Sequence, residues 1–208
     1  MIFIIMALAY LIGSIPFAII AGYILTGQDI RTKGSGNAGA TNVFRVLGLK
    51  AAITVMILDF LKAFIPVFAV PFILPLIGDV SINEELLQIA VLLLIIIGHV
   101  FPVWVRFRGG KGVAAAAGGI SAIFPPAVPF CLIIFIITVV FTRYISLASL
   151  LTAWLLPVYY FVLNQISGRE LSSPLMIFFV LVTILITIFH KGNLKRLMKG
   201  EESKINFK

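Results

Sequence analysis

Residues 98–119 read GHVFPVWVRFRGGKGVAAAAGG, and the reading of the whole chain turns on them. The stretch begins at the end of one long apolar run and closes with small residues that open another. Between these runs Arg106, Arg108 and Lys111 surround Gly109, Gly110 and Gly112. A glycine-rich turn frees backbone N–H groups to converge on one spot, and a following helix start adds its positive dipole end. With three cations added, the turn reads as a pocket for a multiply charged anion, most simply a phosphate.

The flanking sequence is overwhelmingly apolar. Of the 208 residues, 61% are hydrophobic and 12% charged, with a mean hydropathy of +1.16. Soluble domains average roughly 45–50% apolar and 25% charged residues. The composition therefore predicts an all-α, polytopic integral membrane protein. Sixteen Lys and Arg against eight Asp and Glu give a net charge of +8. In a membrane protein such a surplus reflects orientation rather than nucleic-acid binding. Cys131 is the only cysteine, which excludes a disulfide framework or a Cys-based metal site within one chain. The apolar start has no basic n-region and no A-x-A site, so it reads as a first span rather than a cleaved signal.

A spanning helix needs roughly 17–25 mostly apolar residues. The predicted spans are 2–25, with a kink at Pro16; 47–73, containing Asp59 and Lys62; 86–105; 145–163; and 174–189. Segments 113–124 and 127–142 are shorter, are separated by Pro125 and Pro126, and read as a tight helical hairpin. A polar loop is expected over 26–45, an acidic loop with Asp79, Glu84 and Glu85 before the third span, and a basic tail at the end. Seven spans put fourteen of the sixteen cations on one side, leaving only Arg169 opposite and Lys62 within a span. The positive-inside rule then places the N-terminus outside and the C-terminus in the cytoplasm. The expectation is one seven-helix domain over 1–208.

Three further stretches carry chemistry. Residues 34–48, GSGNAGATNVFRVLG, collect Ser35, Asn37, Thr41, Asn42 and Arg45. Their match to G-x-G-x-x-G does not mark a dinucleotide fold, because a membrane span stands where the fingerprint needs a strand. A second anion- and hydroxyl-binding loop fits better than a plain polar linker. The GGKG turn likewise fails as a Walker A loop, since Gly112 stands where a Ser or Thr would hold Mg²⁺. Ten of the seventeen glycines fall in these two loops, which suggests a site for two phosphates. The tail HKGNLKRLMKGEES, from His190, brings Asn193, Arg196 and Glu202, although a basic tail is commonly a lipid-surface anchor. His99, near the end of the third span, needs a partner to be tolerated in a membrane. Asp59 and Lys62, three apart on one helix face, can pair with each other and support the first loop from below.

Taken together and in this order, SGNAGATNVFRVLG, GHVFPVWVRFRGGKGVA and HKGNLKRLMKGEES resemble the bacterial acyl-phosphate:glycerol-3-phosphate acyltransferase family. LDFLKA around Asp59 and TRYISLASL with Arg143, Ser146 and Ser149 add to the likeness. The resemblance implies a cytoplasm-facing enzyme of the bacterial inner membrane. It implies acyl transfer from acyl phosphate to the 1-hydroxyl of sn-glycerol 3-phosphate, giving lysophosphatidic acid, the first step of phospholipid synthesis. On that footing Gly109, Gly110, Lys111 and Gly112, with Ser35 and Arg45, hold phosphate, while Asn37, Thr41 and Asn42 shape the first loop. Ser149, His190 and Asn193 bind glycerol phosphate, following the resemblance. His99, His190 and the acyl phosphate's own oxygens are the candidate bases, and substrate assistance is favoured over a dedicated residue. Lys111, His190 and His99 are thus the candidate catalytic groups. No cofactor or metal is expected, because carboxylates are sparse in the loops. The expected partners are the two substrates and the bilayer. A transporter of a small phosphorylated solute is the competing reading, but it predicts an internal repeat, and none is found.

Overall fold

The computed structural model describes residues 1–77 and 83–205; Asp79 of the acidic loop and Lys208 of the tail lie outside the described residues. The described residues form ten α-helices and no strand. Among the described residues, four helical stretches are long and apolar enough to cross a membrane: Ile2–Thr26, Leu49–Leu76, Glu84–Val105 and Ile145–Ser167. A fifth candidate is the pair Ser173–Phe189 and Lys191–Met198, bent by 64°.

The helices follow the apolar segments closely, and their ends have local causes. The first stretch is two helices, α1 (Ile2–Gly13) and α2 (Phe17–Thr26). The break falls before Pro16, which lacks an N–H and crowds the preceding turn. Helix α3 (Ala40–Leu47) and a 3₁₀ turn at Ile30–Thr32 occupy what the sequence reads as a polar loop. Thr41, Asn42 and Arg45 disguise α3, but its other face buries Val43 with Ala18, Ile19, Ile30, Ala38, Ala52 and Val55. Eight residues are too few for helix propensity alone, so tertiary burial makes this helix. Helix α4 (Leu49–Ile73) contains Pro66 and Pro71 without ending at either. Helix α5 (Glu84–Val100) starts with Asn83 Oδ1 accepting from the Leu86 amide at 3.2 Å, and Glu84 and Glu85 sit at its positive end. After the glycine turn come α6 (Val113–Ile123), α7 (Ala127–Thr142), α8 (Ile145–Ser167), α9 (Ser173–Phe189) and α10 (Lys191–Met198). The basic tail is thus helical over its first eight residues.

The chain divides into two compact units, Met1–Phe124 and Pro125–Lys208. In the first, α1 packs on α5 and α4 on α6 with their backbones in contact. A Cβ on Gly98 would strike the Tyr10 carbonyl and come within 2.9 Å of the Ser14 nitrogen. One on Gly118 would strike the Phe60 carbonyl. Between apolar helices the hydrophobic effect offers little discrimination, and close approach at small residues supplies the packing instead. In the second unit α8 packs against α7 and α9. Phe130 stacks on Tyr159 with centroids 4.1 Å apart, and Thr183 Oγ1 donates to the Ala153 carbonyl at 2.7 Å.

Gly98→Val and Gly118→Val should each destabilise the detergent-solubilised protein by about 3 kcal/mol or more, at the upper end of overpacking costs. A fall in thermal unfolding temperature relative to wild type measures this, and an unchanged temperature would refute the backbone contact.

Candidate anion-binding site

In the first unit the first loop and the glycine turn are built against one another. Asp29 opens the 3₁₀ turn, with Oδ1 accepting from the Arg31 amide at 2.9 Å. The Arg31 guanidinium returns to the same carboxylate at 2.6 Å and donates through Nη1 to the carbonyls of Arg108, at 2.9 Å, and Val105, at 3.2 Å. These hydrogen bonds from Arg31 hold the Asp29 carboxyl below its usual range, against the smaller opposing effect of burial. Arg31 therefore ties the first loop to the strand of chain leading into the glycine turn.

Asn42 organises the loop from inside. It is 1% exposed, and both ends of its amide are used. Its Oδ1 accepts from the Ser35 amide at 2.7 Å and from Ser35 Oγ at 3.1 Å. Its Nδ2 donates to the carbonyls of Ile30 at 2.9 Å and Lys33 at 3.1 Å. Ser35 itself is exposed, Asn37 and Thr41 are half-buried, and Arg45 is exposed on α3.

The glycine turn runs beneath and beside this loop. Gly109 N donates to the Val100 carbonyl at 3.0 Å and Gly110 N to that of His99 at 3.1 Å, folding the turn back on the end of α5, so these two N–H groups are not free for an anion as the sequence suggested. A Cβ on Gly110 would strike His99 Nε2 and come within 2.9 Å of the Ala38 carbonyl. Arg106 and Phe107 both have φ near 58°, a left-handed conformation that costs non-glycine residues of the order of 1–3 kcal/mol each. The Phe107 amide pays part of this back by donating to the Pro102 carbonyl at 2.9 Å. Gly112, at φ 79°, starts α6, whose first amides have no side-chain cap; Lys111 is half-buried beside it. The turn thus presents a cation and the positive end of a helix at one place, which suits a phosphate.

The second unit holds Ser149, His190 and Asn193, all buried. Asn193 Nδ2 donates to Glu202 Oε1 at 2.6 Å, Ser146 Oγ donates to the same oxygen at 2.8 Å, and Arg196 Nε donates to Oε2 at 2.7 Å. Ser149 lies one turn beyond Ser146 on α8 and donates to the Ile145 carbonyl at 3.0 Å. His190 Nδ1 is 2.8 Å from the Ile186 carbonyl, which only accepts, so this nitrogen carries the proton. Burial pulls the Glu202 pKa up, but hydrogen bonds from Asn193, Arg196 and Ser146 outweigh it and hold it below the usual value.

The sequence reading missed three of these roles. The Asp29–Arg31 spacing signals a local pair, but the carbonyls Arg31 reaches are more than seventy residues away. Glu202 and Ser146 stand in the stretches singled out in sequence, but their pairing carried no signal there, because the carboxylate is buried only after the tail returns along α8, where the Ile205 amide meets the Arg143 carbonyl at 2.8 Å.

The family profile for glycerol-3-phosphate acyltransferase matches residues 3–200. The glycerol-3-phosphate acyltransferase of Chlorobium phaeobacteroides is 39% identical over 98% of this chain and 96% of its own. That of Desulforamulus reducens is 40% identical over 96% and 93%. The crystal structure of PlsY, an integral membrane glycerol 3-phosphate acyltransferase, in its glycerol 3-phosphate form superposes with a TM-score of 0.84 at 34% identity, covering 99% of this chain and 96% of that one. Its lysophosphatidic acid form gives 0.79 at 32%, covering 99% and 95%.

Glu202 has a lowered pKa when folded, so its ionised form stabilises the fold above the unfolded value, and that stability is lost as pH falls through the folded one. Wild type should therefore exceed Glu202→Gln in thermal stability from pH 7 to about 5, with the gap closing below about pH 4.3. A gap independent of pH would contradict the network. Asn42→Ala should cost about 1–3 kcal/mol for the buried groups it orphans, read from the same unfolding measurement.

Proposed function

This chain belongs to the glycerol-3-phosphate acyltransferase family, and we propose that it transfers a fatty acyl group from acyl phosphate to the 1-hydroxyl of sn-glycerol 3-phosphate. The products are lysophosphatidic acid and phosphate. The observation that carries this reading is the full-length likeness to a protein captured in glycerol 3-phosphate and lysophosphatidic acid forms, the acceptor and the product.

An acyl phosphate donor fits the residues. It is already activated, so no Ser–His or Cys–His nucleophile is needed. The H-x-x-x-x-D dyad used by other glycerolipid acyltransferases is missing, with Trp104 and Lys195 at the fifth positions after His99 and His190. The remaining work is to hold phosphate against repulsion and to aim one hydroxyl at the acyl carbon. Positioning of that kind lowers a barrier by roughly 7–11 kcal/mol. Gly109, Gly110, Lys111 and Gly112, with Ser35 and Arg45, hold phosphate, and Lys111 offsets the charge that grows on the departing group. Asn37, Thr41 and Asn42 shape the loop that carries Ser35. Ser149, His190 and Asn193 bind the glycerol phosphate. As the hydroxyl oxygen bonds to the acyl carbon and the C–O bond to phosphate breaks, the hydroxyl proton passes to a phosphate oxygen of the donor itself.

The same proposal places residues 1–208 as one membrane domain with seven spans, in the bacterial inner membrane, N-terminus outside and active site facing the cytoplasm. What supports it is the distribution of charge, with fourteen of sixteen cations on one side of that topology.

Purified protein with labelled glycerol 3-phosphate should be acylated by acyl phosphate and not by acyl-CoA; no product from either donor would end the proposal. Lys111→Ala should lower kcat/KM with acyl phosphate by about 10²-fold, the scale for losing one preorganised charge-stabilising group.

A further inference from the structure

Asp59, Lys62 and His99 form a buried cluster directly under the glycine turn. They are 3%, 7% and 8% exposed, and they come from α4 and from the last turn of α5. Lys62 Nζ lies 2.7 Å from Asp59 Oδ1, and His99 Nδ1 lies 3.4 Å from the same oxygen. Neither approach is aligned as a hydrogen bond: Lys62 meets the carboxylate as an ion pair, and His99 Nδ1 lies close beside the same oxygen. Each of the three has a second contact on a different element. Lys62 Nζ donates at 2.9 Å to the Ile15 carbonyl, at the break between α1 and α2, and lies over the Phe17 ring. His99 sets its Nε2 edge against Gly110 so closely that a methyl group there would collide with it. A small cavity lined by Ile15, Ala38, Asp59, His99, Gly109 and Gly110 joins the cluster to both loops.

The arrangement is one-directional in its chemistry. An ion pair three residues apart on one helix already neutralises Lys62 and Asp59 within the membrane. The third group, His99, brings Nδ1 to the same carboxylate oxygen and its Nε2 edge to Gly110, so its ring lies between the carboxylate and the turn. With Nδ1 set 3.4 Å from the carboxylate and Nε2 packed against Gly110, the ring is held between the two, much as carboxylate–histidine pairs orient metal ligands. The element this ring then fixes is the Gly109–Gly110 backbone.

We infer that Lys62, Asp59 and His99 are positioning residues that set the geometry of the phosphate-binding glycine turn, with His99 transmitting the constraint from Asp59 to Gly110. They do not touch substrate, and His99 is not the base. The inference rests on the proposed function of that turn as a phosphate cradle, and it makes a kinetic distinction. A misplaced cradle weakens phosphate binding, whereas a loss of fold lowers the amount of active enzyme and leaves KM alone.

The test uses full-length purified protein, with KM and kcat measured for both acyl phosphate and glycerol 3-phosphate. Asp59→Asn should raise KM for one of the two by about tenfold while kcat changes by less than about threefold, the scale expected for a displacement well under 1 Å. The double variant Asp59→Asn, Lys62→Met leaves no lone buried charge, so it should recover thermal stability and still show the raised KM. His99→Asn keeps a donor toward Asp59 and should retain more affinity than His99→Ala, with the pH–rate profile unmoved in both. The inference is overturned if KM for both substrates stays at the wild-type value in the double variant, or if either His99 variant shifts the pH–rate profile. Absence of acylation by wild type would instead defeat the functional proposal, so the two failures are distinguishable.

Discussion

A side chain at position 110 would share space with the imidazole of His99. Much of the first unit follows from that exclusion. Because Gly110 has no Cβ, the turn lies flat on the end of α5, and the Gly109 and Gly110 amides are spent on the Val100 and His99 carbonyls rather than turned outward, which leaves Lys111 and the start of α6 to meet an anion. Because His99 is beneath it, a polar ring is buried in an apolar helix bundle and must be balanced, which Asp59 does. Asp59 is then itself a buried charge and requires Lys62. Lys62 completes the chain of requirements at the Ile15 carbonyl, which the break at Pro16 leaves short of a helical donor.

The same accounting governs the second unit. Glu202 is buried at the end of a tail whose composition is polar and basic. Three donors from two helices, Ser146, Asn193 and Arg196, meet its two oxygens. A buried carboxylate with one donor would be costly, and with three it becomes a fixed point for α8 and α10. The residues read as acceptor-binding, Ser149, His190 and Asn193, lie beside this fixed point, and Asn193 belongs to it. Rigid placement of those groups is therefore a consequence of satisfying Glu202. In both units, buried polarity is used to hold short connecting segments that apolar packing alone would leave loosely specified.

Asp29 and Arg31 show how far apart local and distant information can be. Their pairing is a two-residue spacing visible in the chain, and its strength follows from a bidentate guanidinium. What it does, clamping the carbonyls of Val105 and Arg108, depends on the approach of a segment more than seventy residues on. Asn42 is similar. Its neighbours in sequence suggest a loop-shaping amide, but all four of its hydrogen bonds are needed to see that it is wholly consumed in holding Ser35, Ile30 and Lys33.

Sequence alone determined that the protein is helical and membrane-embedded, where its apolar segments begin and end, and which stretches bear chemistry. It could do so because the bilayer imposes a length and an apolarity that each segment must meet by itself, and because glycine and proline act on the backbone locally. The short amphipathic α3, hidden in a polar loop, escaped for the opposite reason: its helicity depends on burying Val43 against residues from α2 and α4. Only the tertiary structure decided that His99 faces Asp59 and underlies Gly110, that Arg31 joins the two loops, and that Glu202 is interior. Each of those is a meeting of residues far apart in the chain. For His99 and Gly110 the meeting depends on a close approach at glycine, and for Arg31 and Glu202 on where distant segments return, distances that no single segment carries in its own composition.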